Sequence, residues 1–480
     1  DIIGTEAWNA MTEEERRRIN PFDYERAFPG VFKGKDGGFD AVIGNPPYVR
    51  QESIVNQKPY LQSHFASFDG VADLYVYFIE KGLKLLVGKG RFSIIVSSSF
   101  LRTTFASELR QHIATNYNVE SIVDFGGLAV FEDAKDTYVC IPTITKSEPG
   151  NVVLVASVND TNGAAVDAAV DSATGIPTSQ LKPTAWSVDS PATLALLGRL
   201  NTKSKTLGEI ANGRFFRGIT SGLNDAFVID RETRKQLLVD DPASAAVIKP
   251  FLRGEDVRRY HTDGDDLYIL FPRRGINISQ YKAVERHLGK WKAELMPRTS
   301  GVKVGRKSGA YRWYEIQDDT AYYEMFDQPK IIYPDIAKGP RFVLDESGFY
   351  PANTVYCLGL SDKRLLGFLN SKLFWFCISK ISIPFGTRAG KFRYRLISQY
   401  MEQIPVAIGL LEDSADTNRL TALVDTMLTL HKRLSAEQLP QRREQIQREI
   451  DATDRQIDQL VYQLYGLTDG EIRIVEEATK

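Results

Sequence analysis

The chain has 480 residues, 43% of them hydrophobic and 25% charged, and its 60 Lys and Arg against 61 Asp and Glu leave a formal net charge of −1. This is the composition of an ordinary folded protein with room for roughly two to four domains, and near-neutrality means that any anion-binding surface must be local. Cys140, Cys357 and Cys377 form no Cys-x-x-Cys pair and read as core thiols, not as a zinc site or disulfide frame; no apolar stretch approaches the ~20 residues of a membrane span, no signal peptide is visible, and a cytoplasmic setting is expected.

In chain order, residues 1–38 read as helical or irregular, with the mixed-charge run Glu13 to Arg18 on a solvated helix face. Asp1 stands where an initiator methionine would, so the sequence reads as a piece of a longer polypeptide. Ala41-Val42-Ile43 has the length and β-branching of a buried strand. It stops at Gly44 and runs into Asn45-Pro46-Pro47-Tyr48, where two prolines lock φ and remove two amide donors. A rigid turn at the carboxyl edge of a sheet is where open α/β folds place ligands. Asn45 offers an amide carbonyl there, Pro46 a backbone carbonyl and Tyr48 a flat aromatic face. Two acceptors beside a ring suit a planar group bearing an NH₂. Acceptors on both N–H bonds favour tetrahedral nitrogen and free its lone pair for attack on an activated methyl. The alternative is a proline turn after a core strand, with an exposed tyrosine.

A helix is expected to open at Ala72-Asp73-Leu74-Tyr75 and run through Leu86, with Leu74, Phe78, Leu83, Leu85 and Leu86 near helical spacing. Gly88-Lys89-Gly90 would end it as a turn, and Arg91 to Val96 reads as the next strand. Phe105 to Asn116 is a further helix, Val119 to Phe125 a further strand, and Tyr138 to Ile144 another. Strands alternating with helices indicate a parallel sheet. Phe131 lies between strands, either as a core ring or as a ring facing Tyr48 across the crevice. Residues 147–190 weaken in pattern and read as a connector carrying one strand, Val152 to Val155. From about 205 to 405 short aromatic strands are punctuated by Gly and Pro. Two apolar stripes, Leu420 to Leu434 and Ile446 to Leu464, flank Pro440 and read as an antiparallel helical hairpin.

Positive charge is concentrated in two places. Arg286 to Arg312 includes Arg298, Lys303, Arg306, Lys307 and Arg312, interleaved with Trp291 and Tyr311, and Gly301, Gly305 and Gly309 suggest a mobile loop. Arg388, Lys391, Arg393 and Arg395 form a second run without an acid. Such clusters are the expected footprint of phosphate contacts, with solvated surface as the bland alternative. Arg217 and Arg253, each beside a glycine, either read guanine or satisfy carbonyls. Pro334-Asp335 and Asp133-Ala134-Lys135 each resemble half of a nuclease metal site, in the wrong order, so no nuclease and no metal site is assigned.

The Asn45 to Tyr48 segment resembles motif IV of the S-adenosylmethionine-dependent amino-methyltransferases, and the setting of Phe131 resembles motif VIII of the adenine N6 enzymes. Phe22-Asp23-Tyr24 and Phe28 to Phe32 are similar to the same catalytic region. Ile248 to Gly254, Tyr333 to Ile336 and Leu366 to Ser371 resemble the TaqI-like C-terminal specificity domain, and Val461 to Leu467 resembles the terminal helix of such proteins. The chain is thus similar to the C-terminal part of a type IIG restriction–modification protein of the gamma arrangement. The resemblance implies an α/β fold (a partial Rossmann-like methyltransferase sheet), followed by an α+β target-recognition domain and a helical hairpin. Its boundaries would be 1–150 for the catalytic part, 151–204 for a connector, 205–408 for the recognition domain and 409–480 for the hairpin. It implies adenine N6 methylation from S-adenosyl-L-methionine in double-stranded DNA. Asn45 and Pro46 would accept from the target amine, with Pro47 stiffening the turn, and Tyr48 and Phe131 would stack the extruded base. No glycine-rich cofactor turn precedes Asp40, so most of the cofactor site and any nuclease are expected outside this sequence. A recognition module without catalysis, and a methyltransferase acting on protein glutamine or RNA, remain the alternatives.

Overall fold

The computed structural model describes residues 12–14, 22–34, 36–131, 138–158, 160–263, 266–299, 301, 303–382, 384–388 and 391–479, with backbone alone for 385–388 and 391. Most of the Glu13 to Arg18 run, and all of Asp133-Ala134-Lys135, lie outside these residues. The chain divides into two compact units, Asp1–Ala195 and Leu196–Lys480.

The first unit is built on a seven-stranded sheet. Its strands are β1 (Phe39–Gly44), β2 (Leu86–Ile94), β3 (Val96–Ser97), β4 (Asn118–Asp124), β5 (Val139–Thr145), β6 (Val152–Ser157) and β7 (Thr174–Pro177). The order is β1-β2-β5-β4-β6-β7, with β3 beside β5. β1 pairs β2 in parallel and β4 pairs β6 in parallel, whereas β5 runs antiparallel to β2 and β4 and β7 antiparallel to β6. The sheet is therefore mixed, not parallel: β5 returns directly beside β4 and inserts between β4 and β2.

Three local expectations change. β1 is an edge strand, so Ile43 is 87% exposed and is not core. The helix α1 spans Tyr75–Lys84 and buries Tyr75, Val76, Ile79 and Leu83, leaving Phe78 44% exposed. Gly88-Lys89-Gly90 lies within β2 and ends no helix. The β1–β2 register jumps from Phe39↔Leu86 to Ala41↔Arg91 across it, and Lys89 takes a φ of 66°. The extra residues are taken up as a bulge, which the backbone of Lys89 and Gly90 fixes by bonding Lys146. The helix α2 (Ser107–Asn116) precedes β4 as expected.

Residues 151–204 are no connector. β6 and β7 extend the sheet, and α3 (Gly163–Asp171) joins them. Buried Arg110 on α2 also donates to the carbonyls of Pro183 (2.9 Å) and Thr184 (3.0 Å), and Trp186 is fully buried among the core residues of this unit. Sheet pairing and burial, absent from composition, place residues 151–195 in the first unit, while Leu196 and Leu200 join the core of the second.

In the second unit the strands are β8 (Phe215–Arg217), β9 (Val228–Asp230), β10 (Ile248–Leu252), β11 (Leu267–Leu270), β12 (Lys330–Pro334), β13 (Ile336–Ala337), β14 (Val343–Asp345), β15 (Tyr350–Pro351) and β16 (Val355–Leu358). All but β13 form two four-stranded sheets, β8-β16-β12-β14 and β9-β11-β10-β15, and Ser204–Thr206 pairs with Pro405–Ala407 in a separate two-stranded sheet. The helices α4 (Lys363–Leu369) and α5 (Lys372–Ile381) lead to a ribbon, β17 (Pro384–Arg388) and β18 (Lys391–Arg395), which joins β13 in a three-stranded sheet. α6 (Ala415–Ala436) and α7 (Pro440–Leu464) are the expected hairpin, and α8 (Asp469–Ala478) follows them. Val461 to Leu467 therefore ends α7 and leads into one more helix. The hairpin is not a separate body: Leu420, Val424, Ile457 and Val461 share one core with Phe368, Phe374 and Ile378.

Candidate functional site

The Asn45 to Tyr48 corner leaves β1 at the carboxyl end of two parallel strands. The Ile95 amide donates to the Gly44 carbonyl at 3.1 Å, and the Tyr48 hydroxyl donates to the Ile95 carbonyl at 3.4 Å. Pro46 is buried, while Asn45 and Pro47 are exposed and Tyr48 is 37% exposed. The Val49 amide donates to the Pro47 carbonyl at 3.0 Å, which closes a tight turn behind the two prolines. Among the described residues neither the Asn45 amide nor the Pro46 carbonyl has a protein hydrogen-bond partner.

A clamp that the sequence did not announce holds the far side of the corner. The Leu74 amide donates to the Val49 carbonyl at 3.0 Å, and the Gln51 amide to Asp73 Oδ1 at 3.0 Å. Lys58 Nζ donates to Gln51 Oε1 (2.5 Å) and to the Gly70 carbonyl (2.7 Å). Burial raises the Asp73 carboxyl above its ordinary range, and the Gln51 amide opposes that rise. Its one legible sign was the Ala72-Asp73-Leu74-Tyr75 helix opening.

Tyr48 and Phe131 are brought together, but not as two faces of a slot. Their centroids are 5.7 Å apart with an interplanar angle of 62°, an edge-on contact. Parallel rings enclosing a base would stand about 7 Å apart, twice a van der Waals stacking distance. Burial, and secondarily the nearby Cys140, push the Tyr48 phenol up to about 12, so it remains a neutral donor. All three cysteines are buried free thiols, as expected. Among the described residues no His, Cys, Asp and Glu cluster suits a metal, and no helix is long and apolar enough to cross a membrane.

The arginines expected at DNA divide sharply. Arg306 is 3% exposed and is no phosphate contact. Its Nε donates to the Leu295 carbonyl (2.9 Å), Nη1 to those of Ser221 (2.7 Å) and Glu315 (2.8 Å), and Nη2 to those of Trp313 (2.9 Å) and Arg312 (3.4 Å). The Phe227 and Tyr311 rings lie 5.3 and 4.6 Å from the guanidinium carbon. Burial lowers its pKa to about 10, still cationic at neutral pH. The loop is closed around this cation. Gly305 has φ +117° and no room for a Cβ, which would meet the Met296 carbonyl at 2.4 Å. Its glycine serves close approach, where mobility was expected.

Arg253 is likewise taken, paired with Asp256 at 2.9 and 3.0 Å and with Glu255 at 3.0 Å, so its fork is not free to read guanine. Arg217 is exposed on β8 with Nε donating to the Asn353 carbonyl at 3.1 Å. Arg298, Lys303, Lys307 and Arg312 are exposed, with Arg312 bonded to the Tyr314 hydroxyl at 2.8 Å. Arg393 is half-buried on β18, while Arg388 and Lys391 are placed by backbone register alone.

Residues 3–131 match the family model described as Eco57I restriction-modification methylase, and residues 249–406 match the TaqI-like C-terminal specificity domain. The chain is similar to the type II methyltransferase M.BstVI of Geobacillus stearothermophilus, 24% identical over 469 residues, covering 92% of this chain and 75% of that one. It is also similar to the type II methyltransferase M.PaeR7I of Pseudomonas aeruginosa, 26% identical over 347 residues, covering 68% of this chain and 57% of that one. In fold it is similar to the type IIL restriction-modification enzyme MmeI, solved in complex with DNA, with a TM-score of 0.57 at 13% identity over 92% of this chain and 56% of that one. The chain thus spans three quarters of the first relative and little more than half of the other two.

Proposed function

We propose, on the premise that this chain belongs to the type II restriction–modification methyltransferases, that it recognises double-stranded DNA through its second unit and methylates adenine N6 at the Asn45 to Tyr48 corner. The observation that carries this reading is the corner: an exposed Asn45 amide and a Pro46 carbonyl without protein partners, beside a neutral tyrosine ring. An adenine extruded at a cost of a few kcal/mol would stack on Tyr48. Asn45 and Pro46 would accept its two N–H bonds, hold the amine and turn its lone pair away from ring conjugation. Phe131 would leave its edge contact with Tyr48 to cover the second face of the base.

The methyl donor expected of the family is S-adenosyl-L-methionine, which carries a methyl on a sulfonium. The described residues at the corner suit the amine. They include no glycine-rich turn with an acidic ribose partner, so no step is derived through the donor. The test is Asn45→Ala in the intact protein, supplied with labelled donor and duplex DNA. Methyl transfer should fall by at least about 100-fold, as when a group positioned on the reacting atoms is removed, while duplex affinity stays the same. Undiminished transfer by the variant sinks the mechanism. Duplex binding without any transfer by the unsubstituted intact protein would favour a recognition module instead.

A further inference from the structure

We propose that Arg50 grips a phosphate flanking the extruded nucleotide, so that the corner holds its target by backbone as well as by base. This deepens the proposed methyl transfer at Asn45 to Tyr48 and rests on it. Val49 packs against the core of the first unit, while Tyr48 and Arg50 on either side of it are exposed. Two residues of chain span at most about 7 Å. An arginine that close to the stacking ring is within reach of a group joined to the base through a single sugar.

The backbone around Arg50 is pinned, and its side chain is not. The Val49 carbonyl accepts from the Leu74 amide at 3.0 Å, and the Gln51 amide donates to Asp73 Oδ1 at 3.0 Å. The Arg50 carbonyl accepts from the Ser53 amide at 3.0 Å, opening the short helix Gln51–Gln57. Yet among the described residues the Arg50 guanidinium has no hydrogen bond or ion pair with the protein. The Asp73 carboxyl feels its charge without closing a pair. Burial is the largest influence on that carboxyl, followed by the Gln51 amide, the Glu52 charge and only then Arg50. Arg253 and Arg306, by contrast, have their donors engaged by their own chain. Five donors in a rigid fork, fixed by the backbone and left without acceptors, suit an anion brought from outside. Extrusion swings a nucleotide about 180° around its backbone and carries its flanking phosphates towards the protein with the base. A guanidinium takes a phosphate bidentately, which fixes orientation as well as charge.

The test uses the intact protein and a duplex that it methylates, with a neutral methylphosphonate placed in turn at the phosphate on each side of the target adenine. Arg50→Gln should lower methyl transfer by about 10- to 100-fold, as for loss of a hydrogen bond to a charged group, with the melting temperature unchanged. One of the two methylphosphonates should cost the parent about as much, and should cost the Arg50→Gln variant nothing further. Arg50→Lys keeps the charge without the fork and should fall between. Full additivity of variant and methylphosphonate at both positions, or undiminished transfer by Arg50→Gln, would overturn the contact while the loss in Asn45→Ala upholds the base site. A raised requirement for the methyl donor, without coupling to either phosphate, would assign Arg50 to the donor's carboxylate and overturn it equally. No duplex methylated by the intact protein would instead overturn the reading beneath it.

Discussion

The loop from Leu295 to Glu315 and the ribbon β17–β18 are both rich in cations, and in the loop Arg306 is set apart from four exposed basic neighbours. The loop turns its Arg306 inward, where five carbonyls from Ser221, Leu295, Arg312, Trp313 and Glu315 solvate the guanidinium in place of water. In the ribbon Arg393 is half-buried and Arg395 exposed, and the register sets Arg388 opposite Lys391. A guanidinium presents five donors in a rigid fork, so it serves equally well as the hub of a loop or as a contact to an anion. What decides is whether enough acceptors converge on it from the chain itself.

Cutting the hub should have the largest effect. Arg306→Met would strand buried carbonyls and destabilise the second unit by about 3–5 kcal/mol, the range for removing one partner from a buried charged network. Urea unfolding measures this, and a loss below about 1 kcal/mol would show that the loop holds its shape unaided. Arg306→Lys keeps the charge but not the fork, and should fall between.

A second inward charge sharpens the contrast, because its partners are incomplete. Burial raises the Asp458 carboxyl to about 6, opposed by the Lys372 amide that it accepts at 2.9 Å and assisted by repulsion from Asp454. The folded protein thus holds this proton more tightly than the unfolded chain. Asp458 contributes most to stability below about pH 4, and that contribution is lost as pH rises towards 6. Asp458→Asn preserves an acceptor for the Lys372 amide and should gain about 1–3 kcal/mol at pH 7 over the parent, with no gain at pH 4. Equal gains at both pH values in urea titrations would refute the assignment.

The smallest effect on the fold belongs to the outward cations of the loop. Lys303→Gln with Lys307→Gln should leave the melting temperature unchanged and lower the salt slope of duplex binding by up to about 1.8, at about 0.9 per phosphate. An unchanged slope would confine DNA contact to other surfaces, and an Arg306→Lys variant with the same reduced slope would erase the distinction between the buried hub and the loop's exposed cations.

The parts legible in the sequence are those fixed locally. Two prolines after a β-branched run specify the corner wherever the strand lies, and apolar stripes around Pro440 specify the α6–α7 hairpin. Strand direction was not legible, because the placement of β5 between β2 and β4 depends on partners far away in the chain. Ala-rich α3 and the short β7 look like a linker until β6 is there to pair with. The same holds for Ile43, whose β-branching announces a strand but not that the strand lies at an edge. Arg306 could not be told from its neighbours by type, since its role comes from carbonyls supplied by several separate stretches of backbone.

Ile95 holds both ends of the corner, its amide on Gly44 and its carbonyl on the Tyr48 phenol. The backbone of a single residue therefore acts as a ruler: the gap between strand end and ring is set by one residue's own dimensions. Strain reaching the sheet would carry the turn along as a rigid tile and leave its internal spacing intact. Changes to the Ile95 side chain should matter little to that spacing, whereas proline at this position would deprive the Gly44 carbonyl of its donor and let the tile come loose at one edge.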